Sequence, residues 1–173
     1  MNAFRRPVLG FSAYSGTGKT TLITSLLPKL ISKGVRVAMI KHAHHDFDID
    51  RPGKDSYVLR KAGASQVLIA SDYRRALITE TPEANAPKLN DLVNELKLDQ
   101  VDLVLVEGFR HMAFPKIELH RPATGKGLIF PDDDNIIAVA SDVYIDTRNI
   151  PLLDLNDIQM IADYIYAWYT TNR

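Results

Sequence analysis

The chain contains no cysteine, so disulfide bonds, thiol catalysis and thiolate-ligated metal sites are excluded. It also lacks a net charge, because 21 Lys and Arg residues balance 21 Asp and Glu residues. Without a net field the protein attracts no polyanion nonspecifically, which argues against a nucleic-acid or membrane-surface binder. No apolar run approaches the roughly 20 residues that span a bilayer, and the apolar segment 8–13 leads into a glycine-rich loop rather than a cleavage site. We therefore expect a soluble, cytoplasmic protein with no nucleic-acid or membrane partner.

Length and apolar content predict one domain. The 173 residues, 46% of them hydrophobic, suffice for one domain with a well-packed core and are too few for two such domains. We predict a single nucleotide-binding domain over 1–173. Apolar strands that alternate with amphipathic helices predict an α/β fold, with a mostly parallel twisted sheet and helices on both faces. The first strand, helix and strand imply a right-handed crossover.

The predicted elements follow the spacing of apolar residues. Strands are predicted at 8–13, 35–41, 66–71, 76–80, 101–106, 117–120 and 136–140. Helices are predicted at 20–33, with a kink at Pro28, at 54–62, at 87–98, and after Asn156 as the cap of the last one. The strand 101–106 is the most hydrophobic and is expected near the centre of the sheet. The segment 121–135 is predicted to be a long exposed loop.

A glycine-rich loop, SAYSGTGKTT at 12–21, lies between the first predicted strand and the first predicted helix. Gly16 and Gly18 let successive backbone N–H groups turn towards an anion, and the helix directs the positive end of its dipole at the same place. Lys19 adds a positive charge for the β- and γ-phosphates, and the Thr20 hydroxyl can ligate Mg²⁺. The general pattern asks for glycine where this chain has Ala13, whose methyl group should alter the backbone only at the loop entry. We predict a P-loop NTPase-like fold whose phosphate loop is formed by Ser15, Gly16, Thr17, Gly18, Lys19, Thr20 and Thr21.

A carboxylate follows the most hydrophobic predicted strand. The apolar run 103–106 leads directly into Glu107. An acid at this place in a phosphate-loop protein reaches Mg²⁺ through water or polarises a nucleophile. Together with the loop, the spacing predicts that Glu107 acts on the metal and the nucleotide.

The segment 42–50 is rich in histidine and aspartate and follows the second predicted strand, where ligands bind in open α/β sheets. One interpretation is a Zn or Ni site that uses His42, His44 and His45. The other is a switch segment that senses the γ-phosphate and lends Asp48 to Mg²⁺ or to water. Because the chain has no cysteine and the segment is expected beside the phosphate loop, we favour the switch.

Two further groups have both a binding and a plain structural interpretation. In the turn 51–56, Lys54 or Arg51 could touch phosphate, or the turn could only cap a helix and form salt bridges. Asp142, at the end of a late strand, could accept hydrogen bonds from the N1 and N2 donors of guanine, because a carboxylate is an acceptor-only group. Capping of the next turn is an equal alternative for Asp142.

Several motifs, taken in order, resemble one known family, the molybdopterin-guanine dinucleotide biosynthesis adapter proteins (MobB). The resemblance covers nearly the whole chain, and Ala13 is compatible with the family. The motifs are AYSGTGKTT at 13–21, IKH at 40–42 with His44-His45, DID at 48–50, PGKDS at 52–56, RKAGA at 60–64, TETP at 79–82, VEGF at 106–109 and AVASD at 138–142.

The resemblance implies a homodimeric GTP-binding protein with weak Mg²⁺-dependent GTP hydrolysis, at most a weak enzyme. It also implies an adapter role in molybdenum cofactor biosynthesis. The partner is then the guanylyltransferase that joins GMP to molybdopterin, and molybdopterin itself is a candidate ligand. With GTP and Mg²⁺ as cofactors, the expected catalytic residues are Asp48 and Glu107 and the expected metal ligands are Thr20, Asp48 and Glu107. Beyond the phosphate loop, the nucleotide is expected to contact Gly53, Lys54, Asp55, Thr79, Glu80, Thr81, Glu107, Gly108, Phe109 and Asp142.

Two other functions compete with this interpretation. A small-molecule kinase also pairs a phosphate loop with a carboxylate, and it would use mobile arginines such as Arg74, Arg75, Arg110 or Arg121 as a lid. The arginines show no obvious lid spacing, which disfavours this function. A metallochaperone GTPase would use the histidines of 42–45, and the missing cysteine counts against it.

Overall fold

The computed structural model describes residues 4–43, 47–81 and 86–173 of the chain. These residues form two compact units, a larger one of 1–42 with 88–173 and a smaller one of 43–87. The single nucleotide-binding domain over 1–173 stays a prediction.

The helices and strands alternate along the chain as the apolar pattern predicts. The strands are β1 (Val8–Ser12), β2 (Val37–Lys41), β3 (Gln66–Ala70), β4 (Arg75–Thr79), β5 (Leu103–Glu107), β6 (Lys116–His120), β7 (Ile136–Ser141) and β8 (Leu152–Asp154). The α-helices are α1 (Lys19–Ser32), α2 (Asp55–Lys61), α3 (Leu89–Glu95) and α4 (Ile158–Asn172). None of the helices in the described part of the chain is long and apolar enough to cross a membrane.

The larger unit contains a six-stranded sheet with the order β2-β5-β1-β6-β7-β8. All of its strand pairs are parallel. This confirms the predicted mostly parallel sheet, and it places β5 inside the sheet, between β2 and β1. The short strand β8 was not predicted, because three residues after Pro151 carry too little apolar periodicity.

Both faces of this sheet are covered by helices, as predicted. Leu103 and Leu105 belong to the same buried cluster as the apolar faces of α1 and α4. Val104 and Val106 belong to a second cluster, together with Leu89 of α3. Since successive side chains of a strand point to opposite faces, the alternation along β5 divides the core into two layers.

The helix ends have local causes. Helix α1 continues through Pro28, as predicted. Its last residue is Ser32 and its C-cap is Lys33. Gly34 follows with a φ of +81° and donates its N–H to the Ile31 carbonyl at 2.9 Å, which stops the helix. The predicted cap of α4 is wrong by one residue. The cap is Asp157, whose carboxylate accepts the Met160 N–H at 2.9 Å, because that side chain lies three residues before the donor.

The segment 121–135 is held by buried charged groups and contains two 3₁₀ turns. The carboxylate of Glu118 on β6 is 1% exposed and accepts the N–H groups of Ile129 at 2.8 Å and Phe130 at 2.7 Å. The neighbouring Lys116 forms an ion pair with Asp133 at 2.8 Å. The segment predicted to be an exposed loop is thus attached to β6 through Ile129, Phe130 and Asp133.

The smaller unit contains α2 and the two-stranded antiparallel sheet of β3 and β4. Leu68 pairs with Leu77 in its register, and Val67 pairs with Ile78. The charged turn 72–75 joins the two strands nearly as predicted, since β4 begins at Arg75. The predicted strands are shifted by one residue at the hairpin, because the pairing register rather than side-chain type sets where a strand begins.

Candidate nucleotide-binding site

The phosphate loop connects β1 to α1 and has the backbone that its glycines predict. Gly16 and Gly18 have φ values of +82° and +95°, a region that residues with side chains rarely adopt. Gly18 is also the N-cap of α1 and supplies no side-chain cap. The first N–H groups of this 14-residue helix therefore have no side-chain acceptor at the cap, and a bound anion can accept hydrogen bonds from them.

Lys19 is folded back onto this loop. Its Nζ donates to the carbonyl oxygens of Ala13 at 3.0 Å and Tyr14 at 3.1 Å. Partial burial lowers the pKa of Lys19; the charge of Glu107 opposes this effect, and the charges of Lys41 and Arg110 add to it. An incoming phosphate would offer the ammonium group a charged acceptor in place of two neutral ones.

Glu107 lies at the end of β5, opposite Phe11 of β1 in the parallel register. Its side chain is 15% exposed and forms a long ion pair with Lys41, at 3.8 Å. The structure thus brings the predicted carboxylate to the strand beside the phosphate loop, where its charge acts on Lys19.

The turn after Glu107 requires glycine. Gly108 has a φ of +105°, and a Cβ added to it would lie 2.6 Å from the Cβ of His42. The N–H of His42 donates to the Glu107 carbonyl at 2.8 Å, and the His42 ring stacks on Phe109 with centroids 4.6 Å apart. This close approach of β2 and β5 fixes the backbone that carries the Glu107 carboxylate.

Asp142 follows β7 and is held by Arg121, which follows β6. Arg121 Nη1 donates to Asp142 Oδ2 at 2.7 Å. The same guanidinium donates from Nε to the Thr17 carbonyl of the phosphate loop at 3.3 Å. The neighbouring hydroxyl of Ser141 accepts the Val143 N–H at 3.2 Å. Both interpretations of Asp142, guanine binding and capping of the next turn, stay predictions.

The remaining predicted site residues belong to the smaller unit, where Arg60 gathers three carboxylates. Its side chain is 8% exposed and forms ion pairs with Asp48 at 2.5 Å, Asp50 at 2.6 Å and Glu80 at 2.9 Å. Hydrogen bonding to Asp50 raises the pKa of Arg60, and the same bond lowers the pKa of Asp50. The carboxylates of Asp48 and Glu80, predicted to serve Mg²⁺ and GTP, are thus engaged with Arg60.

The other residues predicted in this unit lie at element ends. Gly53 has a φ of +86°, Lys54 is the N-cap of α2 without a side-chain cap bond, and Asp55 is its first residue. Thr79 ends β4, and Thr81 lies two residues further on. Their roles in binding GTP stay predictions.

The proposed histidine metal site falls partly outside the described residues, since His44 and His45 are not among them. In 4–43, 47–81 and 86–173, no group of three or more His, Asp or Glu side chains could hold a metal ion. Thr20, the predicted Mg²⁺ ligand of the loop, is exposed in the first turn of α1.

The Arg60 cluster predicts how the smaller unit responds to acid. Because the folded-state pKa of Asp50 is lowered, its contribution is present above its unfolded pKa, about 3.9, and is lost as the pH falls through the folded value. We expect backbone amides of β3 and β4 to lose hydrogen-exchange protection between about pH 5 and about pH 3.

An Arg60→Gln variant should show low protection at both pH values, since its Asp50 is already unpaired. Arg74→Gln, in the exposed hairpin turn of the same unit, is the control and should follow the wild type. Equal protection of the wild-type strands at both pH values would contradict a stabilising role of the cluster.

A parallel sheet with a glycine-rich loop between its first strand and first helix, and a carboxylate at the end of the neighbouring strand, defines a phosphate-loop NTPase fold. The model of the family of molybdopterin guanine dinucleotide synthesis protein B, MobB, matches residues 8–142. The chain belongs to this family.

Similar proteins extend the match over most of the chain. The molybdopterin-guanine dinucleotide biosynthesis adapter protein of Escherichia coli strain K12 is 48% identical over 165 residues, which cover 94% of this chain and 93% of that protein. The adapter protein of Haemophilus influenzae is 45% identical over 163 residues, which cover 94% of this chain and 89% of that protein. A crystal structure of molybdopterin-guanine biosynthesis protein B has a TM-score of 0.71 and 29% identity, and the match covers 93% of this chain and 99% of that one. These relatives agree with the adapter interpretation and lend no support to the kinase or metallochaperone.

Proposed function

We propose that this protein is a GTP-binding adapter of molybdopterin guanine dinucleotide biosynthesis, which assists the guanylyltransferase that attaches GMP to molybdopterin in the cytoplasm. Its relatives are named as adapter proteins of this pathway, and they share nearly its full length. The observation that carries the proposal is the phosphate loop, with Lys19 held over its entry and the N-terminus of α1 without a side-chain cap. Molybdopterin itself remains a candidate ligand of the same protein.

The residues of the larger unit fit a Mg²⁺ nucleotide. Backbone N–H groups of 15–21 and the Lys19 ammonium supply donors for phosphate oxygens, and the Thr20 hydroxyl and Glu107 carboxylate supply the oxygen ligands that Mg²⁺ prefers. Bound Mg²⁺ would neutralise phosphate charge. Lys19 and the loop would orient the phosphates, and Glu107 would hold water beside them.

Asp142 gives the proposal its base preference. An ionised carboxylate accepts hydrogen bonds only, so it pairs with the N1–H and exocyclic amine of guanine and has nothing to offer the N1 acceptor of adenine. Isothermal titration should show tighter binding of GTP than of ATP by the wild-type protein. Asp142→Ala should lose that preference through weaker GTP binding, with ATP binding nearly unchanged. Equal affinities of the wild type for both nucleotides would overturn guanine recognition.

Glu107 should matter more for hydrolysis than for binding. In Glu107→Gln the amide keeps the shape of the side chain and loses the charge that draws Mg²⁺ and polarises water. We expect the slow GTP hydrolysis rate to fall about 100-fold or more, within the range of a lost general base, while GTP affinity changes less than about 3-fold. Phosphate release under single-turnover conditions measures the rate. Equal rates in the two proteins would remove Glu107 from the mechanism.

The apolar surface of the smaller unit is the place where we propose that a second copy of the chain binds. Leu68 and Leu77 are directly opposite on β3 and β4, and they are 64% and 57% exposed. A two-stranded sheet is marginally stable alone, and its exposed leucines can be buried by a partner. These observations support the homodimer.

The dimer is tested by a charge on this surface. Leu68→Glu should convert a dimer to a monomer in sedimentation velocity, because a carboxylate in an apolar interface loses its hydration. Ile31→Glu, at a residue 60% exposed on α1, is the matched control and should leave the dimer intact. A monomeric wild type at micromolar concentration would contradict the homodimer.

A further inference from the structure

The side chain of Arg121 joins three segments of the larger unit that are far apart in sequence. Its Nε donates to the Thr17 carbonyl at 3.3 Å, its Nη1 to Asp142 Oδ2 at 2.7 Å and its Nη2 to Asn156 Oδ1 at 3.4 Å. These acceptors lie in the phosphate loop, after β7, and between β8 and α4. A planar guanidinium can serve three acceptors in fixed directions at once.

We propose that Arg121 is a positioning residue that couples the phosphate loop to base recognition, holding the Asp142 carboxylate in the orientation that selects guanine. The inference rests on the proposed function, in which the loop binds the phosphates of GTP and Asp142 binds its base. Arg121 is thereby assigned to specificity rather than to the mobile lid of a kinase.

On the phosphate side, Arg121 is the end of a short chain of hydrogen bonds. The carbonyl that it contacts belongs to Thr17, and the hydroxyl of Thr17 donates to the Tyr14 carbonyl at 2.9 Å. The Tyr14 carbonyl also accepts from Lys19 at 3.1 Å. Arg121 therefore braces the stretch of loop that places the Lys19 ammonium.

On the base side, Arg121 restrains Asp142 without exhausting it. A carboxylate has about four lone-pair sites, and the ion pair at 2.7 Å uses one of them on Oδ2. Acceptor positions therefore remain for both guanine donors. The pair is only partly exposed, 34% for Arg121 and 24% for Asp142, so solvent screens it incompletely. Since the carboxylate is restrained before the base arrives, less conformational freedom is lost on binding.

The two contacts of Arg121 make separable contributions. The bond to Thr17 should affect every ligand that carries phosphates, including inorganic tripolyphosphate, which has no base. The pair with Asp142 should affect only ligands with guanine. An arginine that merely attracted phosphate charge would lower GTP and ATP affinity by the same factor when removed, and lysine would replace it.

The test is isothermal titration of GTP, ATP and tripolyphosphate with wild type, Arg121→Gln, Asp142→Ala and the double variant. We expect Arg121→Gln to reduce the ratio of GTP to ATP affinity about 10-fold or more, the range of a charge-assisted hydrogen bond. The ratio in the double variant should equal that in Asp142→Ala, because residues that act through one another are not additive. Tripolyphosphate affinity should fall in Arg121→Gln and stay unchanged in Asp142→Ala.

Two further variants keep the result unambiguous. Arg36→Gln breaks another Arg–Asp pair of 2.7 Å, with Asp102, and should leave the nucleotide ratio unchanged. Arg121→Lys keeps the charge and should still lose the GTP preference, since the donors of an ammonium share one nitrogen and cannot reproduce the spread of the three guanidinium nitrogens that contact Thr17, Asp142 and Asn156. It also replaces Arg121→Gln if that variant does not fold, as judged by circular dichroism.

The failures of the two proposals differ. A wild type without GTP preference overturns guanine recognition by Asp142, and the coupling with it. A wild type whose preference disappears in Asp142→Ala but persists in Arg121→Gln or Arg121→Lys overturns only the coupling. Equal losses for GTP and ATP, restored by lysine, would make Arg121 a phosphate-attracting charge.

Discussion

A Lys19→Ala variant is expected to bind GTP about 10- to 150-fold more weakly than the wild type, which corresponds to the roughly 1.5 to 3 kcal/mol of a charged hydrogen bond. In the structure the ammonium already lies over the loop and donates to the carbonyls of Ala13 and Tyr14. The Lys19 ammonium group is therefore already positioned at the loop when the nucleotide binds. Isothermal titration with Mg²⁺ and GTP measures the loss.

The fold should survive this change, because Ala13 and Tyr14 are only half-buried and water can replace the lost donor. Lys29→Ala is the matched control. It removes a lysine from the same helix whose Nζ bonds to the exposed Gln159 at 3.1 Å, and GTP affinity should stay unchanged. Undiminished GTP binding by a folded Lys19→Ala protein would refute the phosphate loop.

The larger unit was predictable because its signals are local. The apolar run of β1, the glycines that need positive φ and the lysine beside the helix start lie within about ten residues of one another, and each further predicted strand is an apolar run of its own. The sheet and its two covered faces follow from these runs, and so does the position of Glu107 beside β1. The prediction of Asn156 as the cap of α4 was wrong because Asn156 and Asp157 are both good capping residues, and only the backbone geometry decides between neighbours.

Contacts between distant residues were not predictable from one sequence. Arg121 reaches Thr17 across 104 positions, and its pattern in the chain indicated only a candidate lid. Arg60 meets Asp50 and Glu80 from 10 and 20 positions away. The sequence shows that these side chains are charged, but it does not show which of them pair. Pairing depends on which strand ends and turns the fold brings together.

The buried Lys116 gives the largest expected effect on stability. Its side chain is 1% exposed, and Nζ bonds to Asp133 at 2.8 Å and to the carbonyls of Arg110 at 3.0 Å and Met112 at 2.7 Å. Lys116→Met keeps the length of the stem and removes the charge. The variant removes the donor of two carbonyls and the positive charge beside Asp133, whose carboxylate keeps its hydrogen bonds from Asn135. It should lower the free energy of unfolding by about 3 to 5 kcal/mol. Urea denaturation followed by circular dichroism measures the change.

Lys33→Met removes a lysine from a pair of 2.7 Å with the exposed Asp163 and should change stability little, since exposed pairs contribute little. Asp133→Asn in the Lys116→Met background should recover part of the loss, because it neutralises the stranded carboxylate. A Lys116→Met stability equal to that of the wild type would contradict the expected cost of leaving the Asp133 charge uncompensated. GTP affinity should also fall in Lys116→Met. Lys116 holds the Arg110 carbonyl, and the Arg110 guanidinium lies 5.4 Å from the ring centre of Tyr14 in the phosphate loop, so loosening that turn removes a support of the loop.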